Sequence, residues 1–260
     1  MNPTFSQNYE NGSKDLILFL IETMHNEFNK SLSKSYNNLI YRNEIDYECA
    51  FNSFLIFYKN NYRTLISDLF YGISYLQIKC LKCKNITHKF KCYPILIFPL
   101  EEVRKFKNNA EKNINIMECF EYCQKRVYME NNNQIYCQNC QSMENYLQIS
   151  YIFTSPKVLI INLQRGIGFQ TDIKFEFKEY LDIKKFNYYK NNDFPSYYEL
   201  IGIITLIGSS KNEGKYISFC KSFTDLNWYK YNDSQIDKSS FDEAKSTGVP
   251  SILFYSFIQR

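Results

Sequence analysis

The sequence has no long hydrophobic run. Its longest apolar stretches, "LILFLI" and "IGIITLIG", fall far short of the roughly 20 residues that a bilayer-spanning helix needs. No early segment joins a basic stretch to an apolar one, which argues against a secretory leader. Charge of one sign is never gathered into blocks: 31 Lys and Arg are interspersed with 27 Asp and Glu, for a net +4. Such a balance excludes the basic stripe of a nucleic-acid binder. A chain of this kind is expected in the cytoplasm or the nucleus, with neither membrane nor nucleic acid as partner. Histidine is nearly absent as well. Only His25 and His88 could supply imidazole chemistry, and His25, beside an apolar helical face, reads as a packed or hydrogen-bonded residue.

What is present is a core-forming composition, 45% hydrophobic over 260 residues, together with nine cysteines. Thiols remain reduced inside cells, so nine cysteines need an explanation other than disulfides. Spacing supplies one for four of them. Cys80-Leu-Lys-Cys83 and Cys137-Gln-Asn-Cys140 are C-x2-C knuckles with 53 residues between them, each set between strand-like segments. Two such knuckles make a tetrahedral four-thiolate cage suited to Zn2+, and four thiolates leave no open coordination position, so the site is structural. Cys49, Cys92, Cys119, Cys123 and Cys220 read as small buried hydrophobes.

Helices come early and strands late. Residues 13–32 carry helical periodicity, with Ser13 as N-cap and Ile17, Leu20, Ile21, Met24 and Phe28 on one face. The stretch "NNYRTLISDLFYGISYLQIKC" reads as an extended and turn segment that runs into a strand at the first knuckle. "NINIMECFEYCQKRV" reads as a second helix, with Ile116, Cys119, Phe120 and Cys123 on one side. "EEVRKFKNNAEKN" and "YYKNNDFPS" read as polar connections. After the second knuckle strand follows strand, from "NYLQISYIF" to "SILFYSFI", with Trp228 and the segment 253–255 as core. The fold class is therefore α+β with a mainly antiparallel sheet.

Seven segments in order carry a resemblance over nearly the whole chain: "FLIETMHNEFN", "SDLFYGISYLQIKCLKC", "YCQNC", "SPKVLIINLQR", "YELIGIITLIGSSKNEGKYISFC", "NWYKYND" and "ILFY". The series resembles the ubiquitin-specific proteases, peptidase C19, from the middle of their catalytic domain to its end. That resemblance implies a papain-like domain with an antiparallel β palm, zinc-ribbon fingers and a partial thumb. It is read as one domain, truncated at its N-terminus: residues 1–70 thumb remnant and connection, 71–150 fingers, 151–260 palm. It also implies a grip on ubiquitin, alone or within a protein complex, and cleavage after the C-terminal glycine of ubiquitin.

The family's chemistry needs a thiolate, an imidazole to deprotonate it, and an amide or carboxylate to orient the imidazole. Asn232, followed by Asp233, matches the third member. The family's Gly-His-Tyr is Gly214-Lys215-Tyr216 here, so a lysine, with a reference pKa of about 10.4, stands at the base. The nucleophile's Asn-x-Gly-Asn-Thr-Cys-like box belongs ahead of the first helix, and the 14 residues there hold no cysteine. For the channel that takes the ubiquitin tail, the resemblance points to Gly12, Gly214, Tyr216 and Asp233, with Asn11-Gly12 standing where the family has Gln-Asp. The expected outcome is an inactive ubiquitin- or partner-binding homologue. The alternative is an active cysteine deubiquitinase whose nucleophile comes from an upstream segment.

Overall fold

The computed structural model describes residues 13–29, 46–107, 113–165, 173–188, 194–208 and 214–259. Three helices open it: α1 (Ser13–Phe28), α2 (Tyr47–Asn61) and α3 (Leu65–Phe70). The inner face of α1 carries Ile17, Leu18, Ile21 and His25, whereas Leu20, Met24 and Phe28 are exposed. The expected face is thus rotated by about one residue. Two apolar stripes compete on this helix, and the one containing His25 turns inward because partners await the imidazole. His25 Nε2 lies 3.0 Å from the Asn61 carbonyl and Nδ1 lies 2.8 Å from the Thr64 hydroxyl. A carbonyl only accepts, so Nε2 carries the proton and neutral Nδ1 accepts from Thr64.

Burial lowers the pKa of His25 below 6.5, against a smaller upward push from the Asn61 bond. A depressed histidine pKa means that the unfolded chain binds more protons between the two values. Stability is therefore complete above pH 6.5 and falls as acid drops through that window toward the folded pKa. Urea midpoints should decline from pH 7.5 to 5.5 in the wild type and decline less in His25→Ala. At neutral pH the variant should be less stable by roughly 2 kcal/mol. Equal pH slopes would remove His25 from this role.

Residues 65–70 are helical, not extended as expected. Thr64 and Ser67 form a reciprocal cap, with Ser67 N donating to Thr64 Oγ1 at 3.1 Å and Thr64 N to Ser67 Oγ at 2.9 Å. A serine where a glutamate usually closes this cap hid the signal. Helix α2, which the sequence reading passed over, is capped by Asp46, whose Oδ1 accepts from Cys49 N at 2.8 Å. It buries Ala50 and Phe54 against a sheet.

That sheet has four antiparallel strands in the order β2-β1-β8-β5: β1 (Gly72–Cys80), β2 (Ile86–Tyr93), β5 (Val127–Met129) and β8 (Tyr146–Thr154). Tyr75, Phe90 and Phe153 form its covered face; the Phe54 ring stacks on Phe90 at 5.5 Å and Tyr75 on Phe90 at 5.0 Å. Between the knuckles the chain leaves this sheet. It forms β3 (Leu96–Pro99), α4 (Leu100–Phe106), β4 (Asn113–Asn115) and α5 (Ile116–Cys123), all contributing to the main core. Helix α4 replaces part of the expected polar connection, because Leu100 and Val103 are fully buried while Glu101 and Arg104 pair outside at 2.6 Å. Charges at four of its seven positions masked the apolar spacing.

The second knuckle sits between β6 (Ile135–Cys137) and β7 (Ser142–Glu144). The remaining elements are β9 (Val158–Gln164), β10 (Lys174–Glu176), β11 (Tyr180–Asp182), β12 (Tyr197–Ile207), β13 (Lys215–Lys221), β14 (Trp228–Asn232), β15 (Gln235–Ser239), α6 (Phe241–Ser246) and β16 (Val249–Phe257). They build an eight-stranded sheet of path β15-β14-β13-β12-β16-β9-β3, with β11 beside β12 and only the β3–β9 pair parallel. Strand β10 pairs with β4 in a small sheet apart. One face of the large sheet carries the main core, including Phe98, Phe120, Phe219, Trp228, Leu253 and Tyr255. The other packs Ile160 and Ile252 against Ile21 of α1 and Ile66 of α3.

Cys119 is fully buried and Cys92 and Cys123 are partly so, with burial raising the latter two thiols to about 12 and about 11. Cys49 and Cys220 are exposed, which corrects the reading of all five as interior residues. Each lies on the outer side of an amphipathic element whose opposite face holds larger aromatics. No helix among the described residues is long and apolar enough to cross a membrane.

Candidate functional site

The two knuckles meet. Cys80 ends β1 with Cys83 in the turn that follows, Cys137 ends β6 with Cys140 in the turn that follows, and the four sulfurs all lie within 4.8 Å of one another. Each knuckle ends the same way, the residue after its second cysteine taking positive φ (Lys84, 67°; Gln141, 52°). The sulfurs of Cys83 and Cys137 are 3.7 Å apart. Tetrahedral zinc with bonds of about 2.3 Å spaces its thiolates by about 3.8 Å, so the donor set fits the ion in both type and size. Leu81 N donates to Asn145 O at 2.8 Å and Lys82 pairs with Glu144 at 2.6 Å, which ties the knuckles together outside the sulfurs. Hydrogen bonds hold the Cys137 thiol down to about 6, chiefly from Tyr146 and then from the Cys140 amide. The Asn85 amide acts in the same direction on Cys83, and Cys140 is raised by burial to about 12.

The second cluster lies where β13 begins and β14 ends. The pairing Ser218↔Tyr231 brings Lys215 beside the two-residue turn Asp233-Ser234, which is closed by Asn232↔Gln235. Asp233 takes φ 54°, a left-handed conformation that a short polar side chain tolerates. Its carboxylate receives Lys215 Nζ at 2.5 Å, with side chains 49% (Lys215) and 76% (Asp233) exposed. Asn232 Oδ1 is buried and accepts no hydrogen bond among the described residues. Tyr216 is half-buried, and burial raises its pKa against a smaller opposite push from Ser13 and Ser251. Gly214 precedes Lys215 directly, and Gly12 lies outside the described residues.

Neither imidazole reaches this cluster. His25 is held between α1 and Thr64, and His88 is buried in the four-stranded sheet with Nδ1 2.7 Å from the Tyr75 hydroxyl. Cys220 shares β13 with Lys215 but stands five residues along an extended strand, roughly 17 Å away. The site thus offers an ammonium paired with a carboxylate, a buried amide oxygen and a tyrosine hydroxyl. None of these is a nucleophile paired with a base.

The large antiparallel sheet, with a smaller sheet that ends in the four-cysteine cluster, is the fold of the ubiquitin-specific proteases. Two solved structures share it. One is a chain of the SAGA DUB module containing Ubp8, Sgf11, Sus1 and Sgf73 (TM-score 0.70, 23% identity, 98% of this chain and 52% of that one). The other is a chain of the yeast SAGA DUB module carrying an Sgf73 mutant (TM-score 0.68, 23% identity, 95% and 50%). The chain belongs to the ubiquitin carboxyl-terminal hydrolase family, whose sequence model matches residues 1–255. It is 28% identical to ubiquitin carboxyl-terminal hydrolase 13 of Saccharomyces cerevisiae over 211 residues, and 29% identical to hydrolase 8 of the same yeast over 209. It is also 22% identical to hydrolase 2 of Gallus gallus over 260 residues, which covers 97% of this chain and 70% of that protein. The alignments span 74% and 75% of this chain but only 26% and 42% of the two yeast proteins.

Proposed function

We propose that these 260 residues form a ubiquitin-recognising scaffold without hydrolase chemistry of their own. One observation supports the reading: Lys215, which the resemblance sets at the family's base, is paired with Asp233, and the buried Oδ1 of Asn232, set at the orienting position, accepts no hydrogen bond among the described residues. An ammonium bound to a carboxylate has no lone pair with which to take a thiol proton. On this reading residues 1–70 are a thumb remnant, 71–150 the fingers and 151–260 the palm. Cys80, Cys83, Cys137 and Cys140 would hold a structural zinc that fixes the finger ribbon and takes no part in bond cleavage.

The scaffold would meet ubiquitin, free or in conjugates, in the cytoplasm or nucleus. The SAGA neighbours, chains of multiprotein modules, make a partner complex a second candidate for the same surface. Gly214, Tyr216 and Asp233 would border the tail channel. Because Asn11-Gly12 lacks the acid that meets the cationic tail, recognition is weakened by about 2 kcal/mol or more. Titrating isotope-labelled ubiquitin with the chain should give dissociation constants of micromolar or weaker, with shifts concentrated in the ubiquitin tail. Unshifted spectra at millimolar chain would end the ubiquitin reading and leave a protein complex as partner. The competing reading is an active deubiquitinase with a nucleophile from an upstream segment and Lys215 as base. It draws on the family match, and it requires Lys215 to leave Asp233.

A further inference from the structure

The ribbon that carries the second knuckle is not part of the sheet that carries the first. Among the described residues β6 and β7 pair only with each other, whereas Cys80 ends β1 in the four-stranded sheet. One residue, Asn145, separates β7 from β8. No ladder between the two sheets sets the tilt of the ribbon, yet that tilt decides whether Cys137 and Cys140 face Cys80 and Cys83. Contacts at the joint set it instead. Gln134 Nε2 donates to Asn145 Oδ1 at 2.8 Å, which closes the neck where the chain enters and leaves the ribbon. The backbone oxygen of Asn145 accepts from Leu81 N, inside the first knuckle, at 2.8 Å. One residue before the joint, Glu144 Oε1 receives Lys82 Nζ at 2.6 Å and Ser142 Oγ at 2.5 Å. The Glu144 side chain is only 15% exposed and holds two donors at once, which sets it apart from a common surface ion pair.

We infer that Glu144 is a positioning residue of the metal cage: from the strand that leaves the second knuckle it clasps Lys82 of the first, and so presets the tilt at which the four sulfurs converge. The inference rests on the zinc reading above. It gives a reason for a lysine between the two cysteines of the first knuckle and a carboxylate four residues beyond the last cysteine of the second. Groups ordered beforehand need not be ordered by the ion, and that difference appears as affinity. For one partly exposed ion pair the gain is about fivefold.

The test is chelator competition on the zinc-loaded chain. Glu144→Gln and Lys82→Met should each hold zinc about fivefold more weakly, the double variant no more weakly than either single one, and Lys82→Arg nearly as well as the wild type. Charge alone would act with a different sign. Zinc with four thiolates carries a net charge of −2, so removing a nearby carboxylate would tighten the loaded cage while removing the ammonium loosened it. The loss in Glu144→Gln should also shrink between about 0.05 M and about 1 M salt, as the pair is screened. If Glu144→Gln does not fold, Glu144→Asp keeps the charge and shortens the reach, and it should weaken zinc in the same way. Unchanged or tighter binding in either Glu144 variant, or fully additive losses in the double variant, overturns the inference. Absence of metal from the wild type would instead sink the cage itself.

Discussion

A ubiquitin probe bearing an electrophile at its C-terminus should leave the 260-residue chain unlabelled, and Lys215→His alone should not change that. Members of a nucleophile–base–orienter set act as a unit, so on the scaffold reading restoring the base alone recovers almost nothing of a contribution worth roughly 10⁴–10⁶ in rate. What Lys215→His should gain is stability. The imidazole would give Asn232 Oδ1 a donor, and satisfying a buried acceptor is worth about 1 kcal/mol. A higher melting temperature without labelling is the expected pair of results. Labelling of the unmodified chain at any cysteine, abolished by Lys215→Ala, would make Lys215 a working base and overturn the scaffold reading.

Cys137→Ser should cost the chain its metal and, with it, the order of the ribbon. Purified wild type should contain about one zinc per chain and the variant none. The reason is the size of the local core. Among the described residues around the knuckles only Cys80, Cys137 and Tyr146 are buried, with Ile78, Met129 and Ile135 partly so, too little apolar surface to hold two hairpins together. Structural zinc supplies on the order of 10–16 kcal/mol in small zinc modules, far more than this cluster can. Amide exchange in residues 78–86 and 135–146 should rise steeply in the variant, while β12, β13 and β16 stay protected by their separate core. Freshly reduced wild type without bound metal would refute the cage.

The metal ligands were legible because their signal is discrete: two cysteines at fixed spacing, twice. The long strands β8, β9, β12, β13 and β16 were legible too, since a pattern over seven to eleven residues survives interruption, whereas the short, exposed β15 carried no apolar signal. Helix α2 was not, although Asp46 caps it and aromatic residues recur along it, because those residues also suit strands and no glycine or proline frames them. The face of α1 was misassigned for a different reason. Which of two adjacent apolar stripes turns inward is decided by Thr64 and Asn61, some forty residues away. At the position that the resemblance matches to the family's base, the sequence announced the lysine but not its partner. The Lys215–Asp233 pair depends on a two-residue turn whose register only the paired strands define.

Strand β16, late in the chain, does not lie at an edge. It runs between β12 and β9 and completes the middle of the large sheet. During synthesis, therefore, β9 and β3 on one side and β12 to β15 on the other are made first and wait without a common neighbour. The ribosome must release the chain through Phe257 before they can join. Until then both flanks present unpaired ladder groups and apolar surface, the condition in which nascent chains are captured by chaperones or stick to one another. A chain that stopped before Val249 would have made every other strand of the large sheet, yet it would hold two half-sheets with nothing to join them.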